Sequence, residues 1–347
     1  MLVNLHWLGD HGSDGIRSLR SVRTDTTLEG NRRGLYLASL SQAEELWQSA
    51  SAVTTLASPL LRYYAVLQAS WAVMAASPLK NSEWRPIESH GLRVQWPAAQ
   101  RFSLMDVRVS PLNEGAVSKL AKALDSPLFQ EEMSLEELIA ALPSQQLIHR
   151  RDDIASALDI QIDLADSELM IKNAPPRFFT PDPASENGWL SPSLDDVRSF
   201  MNLYPALFTF PDPTRVSVSD GQHPTDAYRM SINWRPIKYN PHEWKESVDV
   251  WSWNRRHDNP DTDLATILPA VGRTATRPQH PLVTWFCVLH AFSILARYHP
   301  ERWRRILDVE TNVEAVVLER LIDRQSEDAL DLVQIAIREF VAESVNV

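Results

Sequence analysis

The run His280–Trp303, reading HPLVTWFCVLHAFSILARYHPERW, constrains the fold more than any other stretch of the chain. Pro281 fits the first position of a helix, where its missing N–H costs nothing. Leu282, Trp285, Phe286, Leu289, Phe292 and Leu295/Ala296 recur at steps of three and four, the period of a helix with one broad apolar face. Pro300 ends that helix and, as a first-turn residue, opens another carrying Trp303. A helix this apolar belongs in the middle of the protein.

Around it the sequence predicts helices at both ends and strands between. Ser41-Gln-Ala-Glu44 has the form of a capping box, and Leu46, Trp47, Ala50 and Val53 would be the buried face of the helix it starts. Ser58-Pro59 opens a second helix with Leu60, Leu61, Tyr64, Leu67, Trp71 and Met74 on one side, and the short link implies an antiparallel pair. Leu92, Val94 and Trp96, then Met105, Val107 and Val109, alternate as two strands. Helical period returns at Ala116, and Ser134-Leu-Glu-Glu137 is a second capping box. Ile160 to Leu164 and Leu169 to Ile171 read as strands, and Ser193-Leu-Asp-Asp196 caps a helix ending before Pro205. Val216 and Val218 against Tyr228 to Trp234 form the best hairpin candidate. Thr311-Asn-Val-Glu314 is a third capping box, ahead of a helix through Val316, Val317, Leu321 and Ile322 and a last one through Leu332 to Phe340. Leu2 to Leu8 could form a short strand, and GDHGSDG after it a loop. The expected class is α+β, mainly α-helical, with helical N- and C-terminal parts packed together and a strand-containing middle. With no flexible linker in view, residues 1–347 are expected to form one compact unit. Its sub-regions are 41–145 (helical with a strand pair), 150–265 (mixed strand and loop) and 266–347 (helical).

Net charge is -11, which argues against a general nucleic-acid surface without excluding a small basic site. The one cysteine, Cys287, excludes an internal disulfide and a cysteine zinc cage, and inside the apolar helix it reads as a structural thiol. No basic start precedes an apolar run, and no apolar window reaches about 18 residues. The expectation is a soluble cytoplasmic protein without membrane contact. No HExxH, GxxxxGK[ST], GxGxxG or GxSxG is present, so no metal and no cofactor is expected. His257-Asp258 lies in an acidic loop better read as solvated than as a metal site.

Three pieces together resemble the YaaC-like family of bacterial proteins. They are Pro59-Leu-Leu-Arg-Tyr-Tyr64, His90-Gly91-Leu92, and His280-Pro281-Leu282 with Ser293-Ile-Leu-Ala-Arg-Tyr298, Pro300 and Trp303. The likeness runs over about residues 40 to 305. Ser58 and Arg62 depart from the pattern, which has Arg before the proline and an apolar or aromatic residue later. The family has no established general activity, so the resemblance implies a fold and leaves function to the residues.

Two functional readings follow. In the first the chain is a non-catalytic binding or regulatory protein acting through a protein partner or a small anionic ligand, with a homodimer as a further option. Arg62, Tyr64, His90, Arg297 and Tyr298 carry that reading as an anion or carboxylate site, and Trp251 and Trp253, among Arg255 and Arg256, as a protein-binding surface. Arg297 and His299 are also explained as charges that complement the helix C-terminus. In the second the chain is a HEPN-like, metal-independent ribonuclease (a toxin or defence effector), with Arg273 binding phosphate and His280 as acid or base. Against it, Arg–His pairs at this spacing recur here by chance, and His280 is better read as capping the helix that follows or packing at the turn before Pro281. His290 reads as a hydrogen-bonded core histidine.

Overall fold

In the computed structural model the central helix, α7 (Pro281–Tyr298), is buried from Pro281 to Ser293. The structure describes residues 11–21, 28, 30–80, 83–98, 103–143, 154–163, 168–172, 174–184, 188–207, 213–220, 228–234, 250–251, 264–272, 277–312 and 314–345. By length and composition α7 could cross a membrane, but 78% of it is buried inside the protein. The chain is α+β and mainly helical. It divides into two compact units, residues 8–139 with 279–347, and residues 1–7 with 140–278. The strand-containing middle expected from the sequence makes up the second of these, and the flanking helical parts the first.

The helical unit holds α1 (Gly12–Leu19), α2 (Gly30–Ser51), α3 (Ser58–Ala76), α4 (Ala116–Ala123) and α5 (Leu135–Ala140). It also holds α7, α8 (Pro300–Ile306), α9 (Ala315–Asp323) and α10 (Asp328–Val345). N- and C-terminal helices pack together: α1 and α3 both lie on α10, and α3 lies on α7. Pro300 turns the chain so that Trp303 returns onto Phe292, with ring centroids 5.6 Å apart. Three short antiparallel strands, β1 (Leu92–Gln95), β2 (Arg108–Pro111) and β3 (Met133–Ser134), form a sheet in that order. Met105, expected in a strand, lies instead in a 3-10 turn at Leu104–Asp106.

The GDHGSDG loop is partly helix, because Gly12 N–H donates to Asp331 Oδ1 of α10 at 2.7 Å. A buried carboxylate from the far end of the chain thus satisfies a free donor at the start of α1. The helix expected from Ser41 begins at Gly30, and its buried positions Tyr36, Leu40, Ala43, Trp47 and Ala50 continue one face from upstream. Val53 lies past its end and is exposed. Glu44 is no cap; it pairs with Arg17 at 2.6 Å and with Arg20. The box at Ser134 does form, since Ser134 N–H donates to Glu137 Oε2 at 2.7 Å and Glu137 N–H to Ser134 Oγ at 3.1 Å. At Thr311 it does not: the hydroxyl bonds Asp308 at 3.0 Å, and Glu314 N–H donates to Asn312 Oδ1 at 3.0 Å. The helix after it buries Ala315, Leu318, Leu321 and Ile322 and leaves Val316 in solvent.

The second unit is built on a six-stranded antiparallel sheet from β4 (Leu158–Asp163), β5 (Glu168–Ile171), β8 (Pro213–Asp220), β9 (Tyr228–Trp234), β10 (Val250–Trp251) and β11 (Leu264–Ile267). Their spatial order is β10-β11-β4-β5-β9-β8. The hairpin of β8 and β9 is the one anticipated, with Val216 opposite Ile232 and Val218 opposite Met230. Leu158, Ile160, Leu169, Ile171 and Ile232 on the sheet pack with Val197, Phe200 and Tyr204 from α6 (Leu194–Met201) and the turn after it. A small ribbon pairs β6 (Thr180–Pro181) with β7 (Trp189–Leu190). Leu2 to Leu8, Arg273, Trp253, Arg255, Arg256 and His257 lie outside the described residues.

Candidate functional site

Two of the sequence pieces that carry the family resemblance meet in the helical unit, together with residues of α7 that lie between the two parts of the third. From α3 comes Tyr63, buried next to the half-exposed Tyr64. From the loop before β1 comes His90, half-buried. From α7 come Phe286 and His290, the latter 3% exposed. The Tyr63 hydroxyl lies 2.7 Å from His90 Nδ1. The Tyr63 ring centroid is 4.9 Å from that of His290 and 5.5 Å from that of Phe286, and the two imidazoles are 5.1 Å apart.

Local backbone geometry explains how His90 is held. Gly91 adopts a left-handed φ of 79°, which a side chain would strain. This turn lets Ala116 N–H donate to Ser89 O at 2.8 Å and Val117 N–H to His90 O at 3.2 Å. The start of α4 therefore uses its free donors to fix the residue that faces Tyr63. Leu112 N–H donates to Gly91 O at 2.8 Å and ties the same turn to the end of β2.

Electrostatics set the protonation states. Burial pushes the Tyr63 phenol up, so it stays protonated. Burial, and then the positive charge of Arg297, push His90 down. Burial and the neighbouring His90 push His290 down to about 3. Both imidazoles are thus neutral at neutral pH. His290 Nδ1 has no hydrogen-bond partner, so the core histidine expected from the sequence is buried as anticipated but left unsatisfied at that atom. Tyr63 and His290 were not among the residues the sequence marked for binding. The available signal was a histidine inside an otherwise apolar helix.

The other candidates are placed as follows. Arg62 is 3% exposed, with its guanidinium 4.8 Å from the Trp47 ring centroid, bonded to Ser326 Oγ at 3.2 Å and 3.7 Å from Asp323 Oδ1. Those contacts join α3 to the turn between α9 and α10. The Tyr64 ring meets that of Tyr63 at a tilt of 54°, with centroids 5.5 Å apart. Arg297 and Tyr298 are exposed at the end of α7, with the guanidinium 4.9 Å from the tyrosine ring centroid. His280 caps α7: its Nδ1 accepts from Leu282 N–H at 3.0 Å, and burial pushes its pKa down to about 3. Trp251 sits in β10, paired with Thr266 of β11. Cys287 is buried, and burial pushes its thiol up. Among the described residues no three His, Cys, Asp or Glu side chains gather to hold a metal ion.

A family model described as YaaC-like protein matches residues 19–337, a span that includes all of the described helices except α1, of which it holds only Leu19, and the end of α10. No curated protein and no solved structure matches the chain.

Proposed function

The chain belongs to the YaaC-like family, and from that premise we propose that it is a non-catalytic binding protein, regulatory in a bacterial cytoplasm, that takes a small anionic ligand beside His90 and Arg297. The supporting observation is the 2.7 Å contact between Tyr63 and His90. A phenol is a stronger acid than a neutral imidazole, so the hydroxyl donates and Nδ1 accepts. His90 then carries its proton on Nε2 as a donor, and the positive charge of Arg297 acts on the same ring. A donor and a fixed cation together favour an anion, and Arg297 opposes a metal ion at the same place.

Two further features favour binding over catalysis. Both imidazoles are held neutral, so neither is an imidazolium acid ready for transfer at pH 7. The capping bond of His280 also occupies the Nδ1 atom of the histidine on which the ribonuclease alternative depends.

Isothermal titration of the full chain with inorganic phosphate and with pyrophosphate at low salt is the direct test. Saturable binding to the wild type that falls at least tenfold in both Arg297→Ala and His90→Ala is the expected result. A wild type that binds neither anion, or an Arg297→Ala protein that binds as well as wild type, overturns the reading. RNA incubated with the protein without metal provides the other arm. Cleavage abolished by His280→Ala would replace the binding reading with the ribonuclease.

A further inference from the structure

Helix α1 is joined to α2 and α10 by a seam that is largely polar. Its eight residues bring two large apolar side chains, Ile16 and Leu19, both fully buried. Asp331 of α10, wholly buried, meets the start of the helix with both oxygens. Oδ1 accepts from Gly12 N–H at 2.7 Å, and Oδ2 lies 3.4 Å from Nδ1 of the half-exposed His11. One turn on, a Cβ on Gly15 would fall 1.6 Å from Nε2 of the buried Gln334, so the seam leaves no room for a side chain there. Arg338 of α10 donates to Ser18 Oγ at 3.4 Å, and the Tyr36 hydroxyl of α2 donates to Leu19 O at 2.9 Å. Glu44 of α2 is buried, and its cationic partners among the described residues are Arg17 and Arg20.

A helix of eight residues has little stability of its own, because nucleation costs more than so few hydrogen bonds return. What orders α1 is therefore the surface it docks on, and two apolar side chains are a small hold. The polar groups govern which segment fits more than how tightly it is held. Glu44 and Asp331 regain water when α1 leaves, which offsets much of the pairing lost. A segment without the matching donors would instead bury both carboxylates unpaired, at a large cost. The seam thus reads a pattern. It asks for a free helix N-terminus at Asp331, a glycine against Gln334, and cations two and five residues after that glycine for Glu44.

We propose that the surface of α2 and α10 beneath α1 is a docking site for a short helix of this pattern, and that α1 is its reversibly held occupant, opening as a unit while the rest of the helical unit stays folded. The site shares no residue with the anion site and stands or falls independently of it.

Hydrogen exchange of the full chain, read by mass spectrometry, is the first test. The amides of α1 should exchange about a hundredfold or more faster than those of α3 and α7. The double variant Arg17→Glu/Arg20→Glu sets two further carboxylates against Glu44 and should hold α1 open, so that its amides exchange as in an unfolded chain while those of α3 and α7 keep their wild-type rates. The second test adds a synthetic peptide of residues 8–23. It should bind the double variant about tenfold or more tighter than the wild type, in which α1 competes for the same surface. The same peptide carrying Gly15→Leu should bind neither protein. Three results would each overturn the proposal: α1 amides that exchange no faster than those of α7, a double variant that loses its overall fold, or a native-sequence peptide that binds the double variant no better than the Gly15→Leu peptide does.

Discussion

The α-carbon of Gly91 lies 2.1 Å from the point at which a side chain on Gly115 would begin. The two backbones touch, and nothing at that contact is a flexible side chain that could move away. Gly115→Ala should therefore push the Gly91 turn off the start of α4, costing about 1–3 kcal/mol of stability and displacing His90 from Tyr63. Gly34→Ala is the control of opposite sign. Gly34 lies on the exposed side of α2 with nothing within 4 Å of an added Cβ, so the substitution should stabilise by about 0.5–1 kcal/mol. Urea melts of the two variants would show opposite shifts; equal shifts would refute the contact.

Tyr63→Phe keeps the ring contacts with His290 and Phe286 and removes only the hydroxyl bond to His90, for a stability loss of about 1 kcal/mol. The bond holds the neutral form of His90, so its loss should raise the histidine pKa. An NMR titration of the His90 ring protons would record that rise. An unchanged His90 titration would show that the hydroxyl bond is absent in solution.

Acid should destabilise the helical unit in a defined window. His280 and His290 have folded pKa values of about 3, below the unfolded value near 6.5. Their stabilising effect is fully present above about pH 6.5 and is lost progressively as pH falls toward 3, because only the unfolded chain takes up the protons. Each group contributes a slope of about 1.4 kcal/mol per pH unit in that window. Two such groups together rival the whole stability of a typical domain within a few pH units. Urea midpoints measured from pH 7.5 to 4.5 should fall steadily, and His280→Asn, which keeps a capping acceptor without titrating, should flatten the fall by about half. A midpoint independent of pH across this range would contradict the burial of both rings.

Which parts of this arrangement were legible in the sequence depended on how local they were. The box at Ser134 and the cap at Ser193 each involve residues three apart, and both form. The same pattern at Ser41 fails, because Glu44 is drawn to Arg17 and Arg20, which lie far upstream. The end and restart of the helices at Pro300 were readable for the reason the capping boxes were, since proline acts on its own backbone. The Tyr63–His90–His290 cluster was not readable. Its members sit on three separate elements, and only the family resemblance marked two of those segments and both sides of the third, without saying that they meet. Arg62 looked like a binding residue because it adjoins two tyrosines; a helix turns by 100° per residue, and that rotation carries Arg62 onto Trp47.

Arg62→Met should cost about 2–4 kcal/mol, since it removes the bond to Ser326 and the stacking on Trp47 while keeping the aliphatic stem. Anion affinity of the folded variant should match wild type. A variant with wild-type stability but weakened anion binding would place Arg62 in the site instead of in the framework.

Cys287 should be inert. It is fully buried and its thiol is held in the protonated form, so a thiol reagent should label it only after unfolding. Labelling of the native protein at the rate seen in urea would show that α7 opens far more readily than its packing implies.

The bond from Gly12 N–H to Asp331 carries a consequence for how the chain is made. The first described helix is closed by a carboxylate from the last, and the residues of their unit are interrupted by residues 140–278. A ribosome adds about 5–20 residues per second, so the early helices wait through the synthesis of the entire sheet before their partner emerges. During that interval the face of α3 that packs on α7 and α10 has neither helix to cover it.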